Sequence, residues 1–264
     1  MKPSVPTFAE LQALQHWATV DFISDLHLCE SEPATFNAWQ RYMTSTTAEA
    51  VFILGDLFEV WVGDDIIRTD LSSQSSNLNF EERCALVLQA AGKRLNLFFM
   101  HGNRDFLIGE QMMANCNATL LADPTVLIFN QQRHLLTHGD MLCLADIQYL
   151  AFRDVVRQPA WQQAQLVKPL AERQAIGRQM RLESQKNQQH LLKYADVDNA
   201  AALAWMQVSN AKSMIHGHTH KPANHDLGNG FERVVTTDWD LKATPSRAEV
   251  LQLSVTGLQR IKLK

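Results

Sequence analysis

The chain has little cysteine and no long apolar segment. Its four cysteines stand far apart without a C-x-x-C pair, so we expect reduced thiols rather than disulfides or a structural zinc site. No stretch approaches the roughly 18–20 apolar residues that span a bilayer. The first ten residues also lack the apolar part of a signal peptide. These absences predict a cytoplasmic protein, for which any membrane contact would be peripheral.

An excess of positive charge is also absent. The 264 residues include 24 Lys and Arg against 28 Asp and Glu, a net charge of −4. General nucleic-acid binders are usually basic, so we expect no nucleic-acid partner. The hydrophobic content of 46% is typical of a globular protein. A chain of this length can bury one large core, or one core and a subdomain.

The amino-terminal half alternates between strand and helix patterns. The predicted strands cover residues 19–24, 51–55 and 96–100, and the predicted helices cover 33–44, 80–94 and 107–115. This alternation favours right-handed crossovers and a largely parallel sheet. Before it, Phe8, Leu11 and Leu14 stand near helical spacing and predict a short capping helix.

The carboxyl-terminal half has a different order. Residues 125–129 and 134–137 predict a hairpin, and residues 141–208 are helical and strand-free, with breaks at Pro159 and Pro169. Further strands are predicted at 213–215, 233–237, 249–255 and 258–263. We therefore predict two packed mixed sheets with helices outside. The predicted units are an extension (1–18), a core (19–140 and 209–264) and a helical cap inserted into it (141–208).

Polar groups follow five of the apolar runs. The five motifs, in order, are Asp25-x-His27, Gly55-Asp56, Gly102-Asn103, His138-Gly-Asp140 and Gly217-His218-x-His220. Gly-Asp alone is typical of an ordinary turn. Because the same event recurs five times, we interpret the set as one site at the carboxyl ends of the strands.

The predicted ligands combine carboxylate, amide and imidazole groups without a thiolate. They are Asp25, His27, Asp56, Asn103, His138, His218 and His220. This chemistry favours Mn²⁺, Mg²⁺ or Fe. Seven ligands are too many for one catalytic ion, so they indicate two ions that share a carboxylate, about 3.5–4 Å apart. Among the other histidines, His16, His134, His190 and His225 are predicted core or surface groups, and His101 and His216 are predicted to support the ligands or pack beside them.

The ordered motifs resemble those of the calcineurin-like metallophosphoesterase superfamily, an α/β (α+β) fold built as a four-layer αββα sandwich. More specifically, they resemble the UDP-2,3-diacylglucosamine hydrolases of bacterial lipid A biosynthesis. The stretches concerned are Ser24-Asp-Leu-His-Leu-Cys29, Ile53-Leu-Gly-Asp-Leu-Phe-Glu59 with Trp61 and Gly63-Asp-Asp65, His101-Gly-Asn-Arg-Asp-Phe-Leu107, Thr137-His-Gly-Asp140 with Leu142-Cys143, and Ile215-His-Gly-His-Thr-His220. They span roughly residues 19–240.

The resemblance implies a reaction and a role for each ligand. The family hydrolyses UDP-2,3-diacylglucosamine at the α-phosphorus to UMP and 2,3-diacylglucosamine 1-phosphate, usually with Mn²⁺. One ion would be held by Asp25, His27, Asp56 and His220, and the other by Asp56, Asn103, His138 and His218. A hydroxide between the ions would attack in line. The catalytic residues implied are Asp56, Asn103, Arg104 and His218.

Arg104 is a departure from the superfamily pattern. Most members carry a histidine here, and that histidine assists the leaving group. An arginine cannot exchange protons near neutral pH, but its fork can bind a phosphate through two hydrogen bonds. We therefore expect Arg104, together with Asn103, to contact the substrate phosphates.

The predicted cap is basic within an acidic protein. From Arg153 to Lys193 it has eight Lys or Arg and three Asp or Glu, with apolar residues between them. Such a segment suits an anionic membrane surface or an acyl-phosphate substrate, so we expect peripheral binding to the inner membrane. A solvated cap without membrane contact is the alternative. By resemblance, further substrate contacts are Asp146 and His218. Ser184, Asn187 and His190 join them on an alignment in which one residue is deleted here, and that alignment places His190 where the family has a lysine.

Two other functions stay open from the sequence. The chain could be another dinuclear phosphodiester or nucleotide pyrophosphate hydrolase, which Arg104 and the basic cap disfavour. It could instead be a metal-free binding scaffold, which the seven intact ligand positions disfavour. No obligate protein partner is predicted.

Overall fold

The computed structural model describes residues 5–72, 74–190 and 196–263. Within this part of the chain, the strands are β1 (Ala9–Gln12), β2 (Thr19–Ile23), β3 (Ala50–Ile53), β4 (Asn96–Met100), β5 (Ala118–Leu121), β6 (Thr125–Phe129), β7 (Gln132–Leu136), β8 (Ser213–His216), β9 (Ala223–Asp226), β10 (Glu232–Val235), β11 (Glu249–Ser254) and β12 (Gly257–Lys262). The α-helices are α1 (Pro33–Ser45), α2 (Phe80–Gly92), α3 (Glu110–Cys116), α4 (Ile147–Val156), α5 (Pro159–Leu166), α6 (Leu170–His190) and α7 (Asn199–Val208).

These strands form two six-stranded mixed sheets. The first sheet has the order β12-β11-β2-β3-β4-β5, and the second has the order β1-β6-β7-β8-β10-β9. Strands β2 to β5 are parallel neighbours, which confirms the predicted parallel region. The hairpins β6–β7, β9–β10 and β11–β12 are antiparallel.

Side chains alternate between the two faces of the central strands. On β3, Phe52 faces the second sheet, whereas Ile53 faces the helices on the outside. The layer between the sheets is aromatic at its centre, since Phe52 stacks on Phe22 and Phe98 with ring centroids 5.2 and 4.6 Å apart. The apolar alternation of the strands therefore creates two buried layers, one on each face of the first sheet.

Helices cover the outer face of both sheets. Helices α1, α2 and α3 lie on the first sheet, where Trp39 is fully buried with Ile53. Helix α7 lies on the second sheet, where Trp205 and Met206 pack with Leu135. The predicted four-layer αββα sandwich is thus confirmed. Although α7 falls inside the segment 141–208 predicted as a cap, it forms the outer layer of the second sheet.

The helix predicted around Phe8, Leu11 and Leu14 is wrong. Residues Ala9–Gln12 form β1, which pairs with β6 in parallel. The spacing of three apolar residues fits a helix, but the open edge of the second sheet offers a hydrogen-bond ladder that the local pattern does not reveal. Beyond β1, Trp17 enters the layer between the sheets.

Strands β5 and β9 were not predicted from the sequence. Both lie at sheet edges, and their sequences, Ala-Thr-Leu-Leu and Ala-Asn-His-Asp, leave no residue fully buried. Without a buried face there is no alternation to recognise. Pairing with β4 and β10 defines these strands.

Helices α4, α5 and α6 form the cap. Pro159 occupies the first turn of α5, and Pro169 directly precedes α6, in agreement with the predicted breaks. Across residues 5–72, 74–190 and 196–263, no helix is both long and apolar enough to cross a membrane. The four cysteines, all of them among the described residues, are free thiols.

Trp17 tests whether the amino-terminal segment belongs to the core. Its side chain is 6% exposed and packs edge-on against Phe52 and Phe98. Trp17→Ala is expected to lower the free energy of unfolding by about 3–5 kcal/mol, because it leaves a cavity between the sheets. Leu14→Ala is the control, since Leu14 is 49% exposed and its loss should cost less than about 0.5 kcal/mol. Urea unfolding measures both; equally small effects would place the segment outside the core.

Candidate metal centre

The predicted ligands follow five strands whose carboxyl ends converge. Asp25 and His27 follow β2, Asp56 follows β3, Asn103 follows β4, His138 follows β7, and His218 and His220 follow β8. Parallel pairing places β2, β3 and β4 side by side in the first sheet, and β7 beside β8 in the second. The backbone N–H of His218 donates to Asp25 Oδ2 at 2.9 Å. This contact joins the two sheet edges into one site.

Most of the ligands stand on left-handed backbone. The five concerned are Asp25, His27, Asp56, His218 and His220, with φ between 48° and 66°. For residues other than glycine this backbone costs about 1–2 kcal/mol each. Local hydrogen bonds hold it, as where Asp25 N donates to the Gly55 carbonyl at 3.1 Å. Such strained residues concentrate where a site requires one geometry.

Two glycines let the second and third motifs touch. A Cβ added at Gly102 would lie 2.1 Å from Asp56 Oδ1, and one added at Gly55 would lie 2.6 Å from Gly102 Cα. Neither position accepts a side chain. The carboxylate of Asp56 consequently lies directly against the turn that carries Asn103.

Asp25, His27 and His220 form the first group of ligands. Their ligand atoms all lie within 4.8 Å of one another. The Nε2 atoms of the two histidines are 3.1 Å apart, and His220 Nε2 is 3.5 Å from Asp25 Oδ1. Two facing imidazole nitrogens and a carboxylate oxygen suit one divalent cation.

Asp25, Asp56 and His138 form the second group, also within 4.8 Å of one another. All three are buried. Asn103 extends this group, since its Oδ1 lies 3.1 Å from His138 Nε2 and 2.9 Å from His218 Nδ1. The structure therefore brings all seven predicted ligands together.

Asp25 belongs to both groups, whereas the resemblance assigns the shared position to Asp56. Asp56 Oδ1 lies 3.9 Å from His138 Nε2 and accepts a hydrogen bond from Arg104 N at 2.9 Å. The bridging role of Asp56 accordingly stays a prediction, which metal stoichiometry can test.

Polar groups stand behind the outer ring nitrogens of three histidines. His138 Nδ1 is 2.8 Å from the Leu54 carbonyl, His27 Nδ1 is 3.3 Å from Glu59 Oε2, and His220 Nδ1 is 3.8 Å from Asp238 Oδ2. The hydrogen bond of His138 fixes its ring so that Nε2 faces the ligand group, whereas Glu59 and Asp238 place a negative charge behind the rings of His27 and His220. Neither Glu59 nor Asp238 was assigned a role from the sequence.

The electrostatics of the centre favour added positive charge. Burial lowers the pKa of His138, but the charges of Asp56, Asp140 and Asp25 outweigh it and raise the pKa to about 9. Burial would raise the pKa of Asp25, but the hydrogen bond and charge of His220 hold it well below the usual range. The surrounding carboxylates thus favour a positive charge at His138, and without a metal ion a proton supplies that charge. The donor set fits divalent ions, whose binding would displace that proton.

Arg104 lies against the second group. Its Nε is 3.7 Å from Asp56 Oδ2, its Nη1 is 3.5 Å from Glu59 Oε2, and its side chain is 12% exposed. The guanidinium is therefore held beside the carboxylates yet remains partly accessible. A phosphate that approaches the centre can meet its fork.

Asp105 is a buried residue that was assigned no role from the sequence. Its Oδ1 accepts from Gly102 N at 2.9 Å, and its Oδ2 accepts from Leu57 N at 2.8 Å. It clamps the second motif to the third. Burial and the charge of Asp56 raise the pKa of Asp105 to about 7.

Asp140 has the corresponding task in the fourth motif. It is buried and accepts from Tyr149 Oη at 2.5 Å and Arg153 Nε at 2.7 Å. Both donors belong to α4, so Asp140 ties the cap to the centre. A carboxylate two positions after a ligand, as in Asn103-x-Asp105 and His138-x-Asp140, is the signal that could have identified both supports.

Cap residues predicted to bind substrate have different positions. Asp146 caps α4, since its Oδ1 accepts from Tyr149 N at 3.0 Å, and its substrate contact stays a prediction. Ser184, Asn187 and His190 fall within α6, but their side chains lie outside the described residues.

Two other histidines neighbour the ligands. His101 Nε2 is 2.7 Å from the Ile108 carbonyl, and His216 Nε2 is 3.1 Å from Arg233 Nη1. Burial lowers the pKa of His101 to about 4 and that of His216 to about 3. Both are neutral groups that pack beside the site.

Comparisons with known proteins agree with this geometry. The profile of the calcineurin-like phosphoesterase family matches residues 18–222. A protein from Marinobacter nauticus named UDP-2,3-diacylglucosamine hydrolase is 40% identical over 228 residues, which cover 84% of this chain and 90% of that protein. One of the same name from Chromobacterium violaceum is 41% identical, with coverage of 83% and 90%.

The solved structure of vacuolar protein sorting 29 from Cryptosporidium parvum superposes with a TM-score of 0.47 at 12% identity, covering 94% of this chain and 92% of that one. The sequence relationships are much closer. The family profile covers most of the chain, and the two relatives are far above 30% identity over nearly their whole length. The chain is therefore a metal-ion-dependent hydrolase of the calcineurin-like phosphoesterases, and it belongs to the family of UDP-2,3-diacylglucosamine hydrolases.

Proposed function

We propose that this protein hydrolyses UDP-2,3-diacylglucosamine to UMP and 2,3-diacylglucosamine 1-phosphate in lipid A biosynthesis. The name shared by its relatives supports this substrate. The main support for this substrate is the position of Arg104, whose Nε lies 3.7 Å from Asp56 Oδ2. Arg104 stands where most members of the superfamily carry the histidine that assists the leaving group. A site with a phosphate clamp and no proton donor there suits a diphosphate, because a sugar phosphate leaves readily without protonation.

The seven ligands would hold two divalent ions. When bound, such ions act as Lewis acids on water and on the phosphate oxygens. We propose Mn²⁺ as the activating ion, since carboxylate, amide and imidazole donors suit it; Mg²⁺ or Fe fits the same donors.

Asn103 and Arg104 would orient the substrate. Asn103 Oδ1 faces His138 and His218, so its amide N–H groups are directed elsewhere and can donate to a phosphate oxygen. Arg104 offers two parallel N–H groups to the same diphosphate. Together they hold the α-phosphorus at the centre, which accounts for much of the catalysis in phosphoryl transfer.

The cap would serve the acyl chains and the membrane. Val155, Val167 and Leu182 are 53%, 79% and 57% exposed, and they lie on the basic segment that begins at Arg153. We propose that this segment binds the anionic surface of the inner membrane peripherally, from the cytoplasm. Lipid substrate could then enter the site without a nucleic-acid or obligate protein partner.

Substrate turnover tests the proposed reaction. In Mn²⁺, the protein is expected to release UMP from UDP-2,3-diacylglucosamine, to stop when the ion is chelated, and to recover when Mn²⁺ is restored. A UDP-sugar without acyl chains is the control; its kcat/KM should be at least about 100-fold lower, because burial of each methylene contributes about 0.8 kcal/mol. Chromatography of UMP gives both rates. Failure to release UMP at any Mn²⁺ concentration would rule out the reaction.

Arg104→Lys tests the phosphate clamp. Lysine keeps the charge but lacks the fork, so kcat/KM should fall about 10–100-fold, as expected for the loss of one charge-assisted hydrogen bond. Mn²⁺ binding should be unchanged. Arg94→Lys is the matched control. Arg94 precedes β4, at the opposite end of the strand from Asn103, and its guanidinium donates to the carbonyls of Thr46 and Met43. Steady-state kinetics give kcat/KM for both variants. Equal kcat/KM values for the two variants would show that Arg104 does not hold phosphate.

A further inference from the structure

The segment 59–65 links the centre to the cap. It begins three residues after Asp56 and runs along helix α6. Arg173, Gly177 and Arg181 stand four residues apart, which places them on one face of α6. All three contact this segment, so the loop that carries Asp56 is also the surface on which α6 rests.

Arg173 and Gly177 contact the part of the segment from Val60 to Asp65. Arg173 is 4% exposed, donates to the Val62 carbonyl and pairs with Asp65. At Gly177 an added Cβ would lie 2.8 Å from Val60 Cγ1, so the helix approaches the segment closely. These contacts give a structural role to Asp65 of the Gly63-Asp-Asp65 motif.

Glu59 is the first residue of the segment and lies between the centre and the cap. Its Oε1 pairs with Arg181 Nε of α6. Its Oε2 lies 3.3 Å from His27 Nδ1 and 3.5 Å from Arg104 Nη1. One oxygen is therefore directed to the cap, and the other to the predicted metal ligand and the phosphate clamp.

We propose that Glu59 is a positioning residue that couples helix α6 to the metal centre. A carboxylate behind a ligating histidine fixes the ring of that histidine, and the same oxygen directs the Arg104 fork. The other oxygen holds Arg181, so the cap and the clamp share one anion. Without Glu59, Arg104 and Arg181 would lose the counter-charge that they share.

Glu59→Gln tests this coupling, and its activity readout rests on the proposed function. The amide keeps the size of the side chain but removes its charge. We expect kcat/KM and Mn²⁺ affinity to fall about 10–100-fold, as for other groups that orient metal ligands. In the substrate-free protein, backbone amides of residues 173–182 should exchange with deuterium at least about tenfold faster, because a charge-assisted hydrogen bond is lost.

Glu82→Gln is the matched control. Glu82 is also a buried carboxylate that accepts from a guanidinium, with Arg68 Nε at 2.6 Å, but it belongs to the capping box of α2. This variant should lose stability and leave kcat/KM, Mn²⁺ affinity and the exchange of α6 unchanged. Arg181→Gln supplies a second test, because Arg181 is only partly buried. It should speed exchange in α6, and Glu59→Gln added to it should speed that exchange no further.

Each result decides. Faster exchange in α6 with unchanged kcat/KM and Mn²⁺ affinity would make Glu59 a merely structural contact and overturn the proposal. Lower activity with unchanged exchange would confine Glu59 to the centre and also overturn it. If the wild type released no UMP, the proposed function would fail, whereas exchange and Mn²⁺ affinity would still test Glu59.

Discussion

The close approach of the turns after β3 and β4 is the contact on which the centre depends. Only hydrogen fits at Gly55 and Gly102, because a Cβ at either would meet the neighbouring turn within 2.6 Å. This contact places the Asp56 carboxylate beside Asn103 and lets Asp105 bind both turns from beneath. Asp56 in the same turn stands on left-handed backbone, with φ of 54°. The two sheets and their aromatic layer supply the rigidity that such strain requires.

The buried carboxylates of the centre require positive charges that balance them. Asp25, Asp56 and Asp140 are buried within the same region, and a proton on His138 or bound cations offset their charge. Asp140 is further paired with Arg153 of α4. The cap is thereby fixed to the side of the fourth motif through α4 and to the side of the second motif through α6. One inserted segment is thus tied to motifs that follow strands of both sheets.

The sequence indicates the sandwich and the ligands because both leave local signals. Apolar runs that end in Asp, Asn or His predicted β2, β3, β4, β7 and β8 together with their ligands. Edge strands β5 and β9 escaped, since strands without a buried face show no alternation, and β1 was mistaken for a helix because its pairing with β6 is not local. Glu59 and Arg181 lie 122 positions apart, so only the fold reveals that they meet. Arg104 and Asp105 stand side by side in the third motif. Only the buried hydrogen bonds of Asp105 show that it supports the turns, whereas Arg104 is left to bind phosphate.

Metal stoichiometry shows directly whether the five strand ends hold two ions around Asp56. Titration with Mn²⁺, followed by metal analysis, should give two ions per chain for the wild type. Asp56→Ala should weaken both sites and abolish hydrolysis, whereas Asn103→Ala, which removes a ligand assigned to one ion, should weaken only one site. A wild type that binds no ion, or an Asp56→Ala variant that keeps both ions and a near-native rate, would be incompatible with a two-ion centre around Asp56.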